Sequence, residues 1–160
     1  MNRGTLFQQA ILNSDVNWIL NFVQRNQGPS LTTILLEGDS SGNNALHFAV
    51  LNNRCAILKL LMQHAEQKCF WAQNNAFSNV LHLAAMENLY EATKILLENP
   101  CITVQYVNLA NPITGNTALH WAAIHGNELL MDILMEKGAS IEMKKFSLKR
   151  HCYLQSVMGI

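Results

Sequence analysis

Three Leu-His pairs carry the residues best suited to chemistry: Leu46-His47, Leu81-His82 and Leu119-His120. Imidazoles and thiols bind metals, move protons or attack substrates near neutral pH. The thiols are Cys55, Cys69, Cys101 and Cys152. A zinc site would show closely paired ligands in two groups. No CxxC pair is present, and His64 with Cys69 has no companion pair at ligand spacing. Phosphate-cradling glycine loops, GxSxG turns, HExxH runs and paired carboxylates are also missing. The reading is therefore no catalytic residue, no cofactor and no metal. The cysteines read as reduced thiols of an intracellular chain, because 160 residues bury a core without disulfides.

The elements that position the histidines recur. Residues 44–50 read NALHFAV, 79–85 NVLHLAA and 117–123 TALHWAA, and 5–11, TLFQQAI, fit the same frame. The frame starts at Thr5, Asn44, Asn79 and Thr117, with offsets of 39, 35 and 38 residues. In each copy a turn residue follows: Ser14, Asn53, Asn88 or Gly126. Then come pairs four residues apart, such as Ile57-Leu58 and Leu61-Met62. That spacing is helical, and Asn and Gly tolerate the left-handed turn between helices. Each copy predicts a helix, a tight turn and a helix. Histidines at one slot per copy would stack a repeat apart, too far for shared chemistry.

The fourth copy carries Gly115, Thr117, Leu119-His120, Ala122-Ala123, Gly126 and Gly138-Ala139, and so resembles the ankyrin repeat. The resemblance covers roughly residues 4–145. It implies an all-α solenoid of stacked helix-turn-helix units, in one domain over 1–160. The repeats fall at about 4–38, 39–73, 74–111 and 112–144, with 145–160 a degenerate cap or truncated fifth repeat. It also implies that the histidine bonds backbone near its helix start and ties neighbouring repeats. Leu6, Ala45, Val80 and Ala118 replace the family's proline, and the offsets exceed its 33-residue period. The surplus lengthens the inter-repeat loops. Segments 29–38 and 101–109 are β-branched and apolar enough to be ordered and packed. Gln8 and Gln9 suit a polar N-terminal cap.

The resemblance puts partner binding on the concave side. The residue after each Ala-Ala slot faces solvent there, and it is Leu12, Leu51, Met86 or Ile124. Asn13, Asn52, Glu87 and His125 border this ladder. An apolar line with a polar border suits a groove for a peptide or helix; the alternative is that the long loops bury it. Loop-tip candidates are Ser40, Ser41, Asn43, Asn75, Ala76, Ser78, Ile113, Thr114 and Asn116. Trp121 shares its slot with Phe48 and Leu83, which favours core lining over a binding anchor.

Composition narrows the function class. Formal net charge is zero, so the chain does not read as a nucleic-acid binder. The basic residues gather late, as Lys137, Lys144, Lys145, Lys149 and Arg150, with His151 beside them, and read as a solvated end. No apolar run is long enough to span a membrane, and Gln8, Gln9, Asn13 and Asp15 interrupt any signal peptide. Only 14% of residues are charged, against about 25% typically, and an exposed ladder could pair weakly with itself. The expectation is a cytoplasmic, non-enzymatic protein-interaction module, acting as inhibitor, adaptor or microbial effector. The alternative is a targeting or regulatory fragment of a larger enzyme.

Overall fold

Each repeat begins where a polar side chain closes a helix start. Asn44, Asn79 and Thr117 accept hydrogen bonds from backbone N–H groups of the turn they precede. The histidine three residues on reaches back to the cap's own N–H, a role usually filled by Glu or Gln. The computed structural model describes residues 3–140, and among these it has 11 helices and no strand. In chain order they are α1 (Arg3–Leu12), α2 (Val16–Arg25), α3 (Pro29–Leu36), α4 (Ala45–Leu51), α5 (Cys55–His64) and α6 (Gln67–Trp71). Then follow α7 (Val80–Met86), α8 (Tyr90–Glu98), α9 (Val104–Val107), α10 (Ala118–His125) and α11 (Glu128–Glu136).

Helices α1, α4, α7 and α10 stack as an inner layer, and α2, α5, α8 and α11 as an outer one. The turns between them are built alike. Ser14, Asn53, Asn88 and Gly126 all have positive φ, between 51° and 63°. Each donates to the carbonyl three residues back, and the next residue donates to the carbonyl five back, as Arg54 N–H does to Ala49 O at 2.8 Å. Ala49, Ala84 and Ala122 are fully buried where inner helices approach closely. Leu46, Leu81 and Leu119 with Leu61, Leu96 and Leu134 fill the space between layers.

The lengthened inter-repeat segments each hold a short helix. The expected packing of 29–38 and 101–109 takes the form of α3 and α9. Helix α6 was not anticipated, since five residues carry no readable helical period. Its Cys69 and Phe70 are fully buried. The segments are tied together: Thr32 Oγ1 donates to Glu66 Oε1 at 2.7 Å, and Tyr106 Oη to Phe70 O at 2.7 Å. Trp71 meets Tyr106 edge to face. The expected fifth repeat or cap at 145–160, and Lys144, Lys145, Lys149, Arg150, His151 and Cys152, lie outside the described residues.

Candidate functional site

The histidines that invite chemistry are joints. His47 is fully buried; its Nδ1 accepts from Asn44 N–H at 3.2 Å, so Nε2 carries the proton and donates to Ser78 O of the next repeat at 3.2 Å. His82 does the same, with Nε2 donating to Leu109 O at 2.8 Å. Burial holds both rings neutral, with His47 lowered to about 4 and His82 also lowered. Each therefore ties its repeat to the chain that follows. Among the described residues, no group of three or more His, Cys, Asp or Glu side chains is placed to hold a metal ion. Cys55, Cys69 and Cys101 are free thiols, and burial pushes the Cys55 and Cys69 thiols up.

The ladder comes from the ends of the inner helices. Leu12, Leu51 and Ile124 are 37%, 38% and 37% exposed, while Met86 is half-buried. Asn13, Glu87 and His125 stand exposed beside it, and Asn52 is half-buried with its amide on Phe48 O. Neighbouring repeats are linked at the rungs. Arg54 donates to Leu12 O at 2.9 Å, and His125 Nε2 to Met86 O at 2.7 Å. Asn127 donates to Asn88 Oδ1 at 2.7 Å. These bonds set the register between rungs one and two and between rungs three and four.

The loop tips divide sharply. Ser40, Ser41, Asn75, Ala76, Ile113 and Thr114 are exposed, with Ile113 at 68%. Asn43, Ser78 and Asn116 are buried, so these three expected contact residues face inward. Asn43 and Ser78 belong to an amide network that the sequence reading missed. Asp39, Asn74 and Asn111 occupy one slot per loop and accept two backbone N–H bonds each. Asn74 Nδ2 donates to Asn43 Oδ1 of the previous loop at 2.9 Å. Asn111 Nδ2 donates back to Ala76 O at 2.8 Å and Ser78 Oγ at 3.1 Å. Trp121 packs against the core, as its slot implied.

Phe77 was also missed. It is 46% exposed at a loop tip with φ of 56°. The matching slots hold Gly42 and Gly115, both with positive φ. A bulky side chain in left-handed backbone costs about 1–3 kcal/mol and is held only where the surroundings enforce it. The signal was present in the glycines of the other two loops.

Comparison with known proteins follows the same frame. The family described as ankyrin repeats (3 copies) matches residues 68–145, and the single ankyrin repeat matches 41–68. An ankyrin repeat protein of Acanthamoeba polyphaga mimivirus is 28% identical over 137 residues, covering 63% of this chain and 18% of the viral protein. The transient receptor potential cation channel subfamily A member 1 of Homo sapiens is 34% identical over 106 residues, covering 66% of this chain and 9% of the channel. The chain thus spans less than a fifth of the length of these curated relatives.

Proposed function

The chain belongs to the ankyrin-repeat family, and from that premise we propose that it binds a partner peptide or helix in its concave groove, without catalysis. Ankyrin repeats are protein-interaction modules in general, so a protein partner follows from the family alone. No helix among the described residues is long and apolar enough to cross a membrane.

The observation that carries the groove reading is the ladder itself. Leu12, Leu51 and Ile124 keep more than a third of their surface in water, at a slot where stacking does not require an apolar residue. Stacked helices lie about 8–10 Å apart, which sets the distance between rungs. A helix offers side chains about 10 Å apart at i and i+7, and a polyproline-II peptide offers them about 9 Å apart on one face at every third residue. Either can meet successive rungs with one apolar stripe. Burial of those stripes supplies the affinity, and the border of Asn13, Asn52, Glu87 and His125 sets the register. Exposed Ile113 and Phe77 extend the contact to the loop tips. In this role the module serves as inhibitor, adaptor or effector. A second reading makes it the targeting or regulatory part of a larger protein, which the small share of its relatives' length favours.

The test charges the two outermost exposed rungs of the three histidine-bearing repeats, Leu51→Asp with Ile124→Asp. Met86 is left alone because it is half-buried. Affinity capture from lysate with mass spectrometry compares wild type and the folded double variant. A partner held by wild type and lost by the variant is the expected result. Retention by both would remove the groove from the reading.

A further inference from the structure

Loops 39–43 and 74–78 are locked together by backbone. Asn75 N–H donates to Ser41 O at 2.9 Å, and Asn75 Nδ2 to Ser40 O at 3.0 Å. A Cβ on Gly42 would collide with Asn75, whose backbone nitrogen would lie 2.9 Å away, so glycine is required there. The next junction breaks this pattern. Pro112 fills the slot of Asn75 and has no N–H to donate. Its neighbour Asn111 supplies the bond instead, Nδ2 to Ala76 O at 2.8 Å, so a side chain stands between the two backbones. This junction admits a residue larger than glycine, and it holds Phe77.

Room alone does not explain the ring. Phe77 is 46% exposed, and its φ of 56° disfavours any bulky side chain. A strained residue that packing does not need is characteristic of ligand contacts. Ile113 on the next tip is 68% exposed. Asn111 holds both residues: its Nδ2 bonds the carbonyl that precedes Phe77, and its Oδ1 accepts from Ile113 N–H at 2.9 Å. One buried amide thus fixes two exposed apolar side chains on neighbouring tips. Residues 74–78 and 111–116 contain no charged side chain, so the chemistry that complements them is apolar and uncharged. These loops lead into α7 and α10, which carry the rungs Met86 and Ile124. Helix α7 has 7 residues, so tip and rung stand about 10 Å apart and one peptide reaches both.

We propose that Phe77, with Ile113, is the affinity- and specificity-determining anchor for the groove's partner. That partner is a peptide that lays one large, uncharged apolar side chain against the pair while its other apolar residues meet the rungs. The proposal rests on the groove reading and adds to it the residues that select the partner.

Random peptides of about 12 residues, long enough to cross the groove when extended, are displayed on phage and selected on the immobilised chain. The tightest is synthesised and its Kd measured by fluorescence anisotropy. It should carry an obligatory aromatic or large aliphatic residue, with a Kd that changes less than about twofold between low and high salt. Phe77→Gly should weaken binding about tenfold or more while raising the melting temperature by about 2–4 °C, so that lost binding is not lost folding. Phe77→Asn tolerates the same φ with a stiffer backbone and should bind as weakly, and Ile113→Ala should show a smaller loss. Undiminished binding to Phe77→Gly, rescue by Phe77→Asn, a peptide held by charge, or no selected peptide overturns the proposal. The Leu51→Asp with Ile124→Asp variant separates it from the groove reading. Binding lost there but kept by Phe77→Gly removes the anchor and leaves the groove; the reverse removes the groove and leaves Phe77 anchoring on the tips alone.

Discussion

The groove and the junctions beneath it invert the usual distribution of residues. At the junctions, polar groups are hidden: His47, His82, Asn44, Asn79, Asn111 and Asn116 are all buried. On the groove, apolar Leu12, Leu51 and Ile124 face water. The difference separates two tasks. Hydrogen bonds are directional and fix the register between repeats, whereas apolar contact is permissive and suits recognition. The amides and imidazoles fix the register of the repeats, and the aliphatic rungs are where the proposed recognition falls.

The strongest challenge to that division is Asn111→Ala. It removes two backbone caps and the bonds to Ala76 O and Ser78 Oγ, four contacts from one buried side chain. At roughly 1 kcal/mol per bond the loss should be about 4 kcal/mol, read from urea unfolding. Charging Leu51 and Ile124 should cost less than about 1 kcal/mol in the same assay, because both are already wet. Comparable losses from the two would erase the distinction.

Acid probes the junctions next. His47 stays neutral in the folded state to about pH 4, while the unfolded chain takes up a proton near 6.5. The folded pKa is depressed, so this stability is present above pH 6.5 and falls as pH drops toward 4. The loss reaches about 3 kcal/mol, and His82 adds in the same direction. The His47→Gln variant should unfold with a shallower dependence across that window. An unchanged slope would show that the ring at position 47 is not the titrating group.

The smallest effect sharpens the loop tips. Phe77→Gly relieves a left-handed phenylalanine and should raise stability by about 1 kcal/mol in thermal or urea unfolding. A loss of stability would mean the ring packs inward.

The frame was legible because its physics is local. Asn44 to His47 and the turn at Asn53 lie within ten residues, and buried Leu46, Leu61 and their equivalents repeat with helical spacing. The amide network was not, because Asn74 and Asn111 act on loops 31 to 35 residues away. The uneven offsets also hide that they share a slot. Helix α6 was too short to show a period, and its order depends on Tyr106, which comes much later in the chain. The ladder could be placed on its helices by slot, but its half-exposure depends on stacking. Met86, half-buried at the same slot as three exposed residues, shows how far neighbours alter it.

Many of the fasteners point backwards along the chain. Arg54 reaches Leu12 O, Asn99 reaches Met62 O, Lys137 reaches Leu97 O, and Asn111 reaches Ala76 O. During synthesis the amino end appears first. A repeat leaving the ribosome therefore finds acceptors already held in place by the helices before it. Its donors dock on a prepared edge, and assembly can proceed in the order of translation, one repeat templating the next.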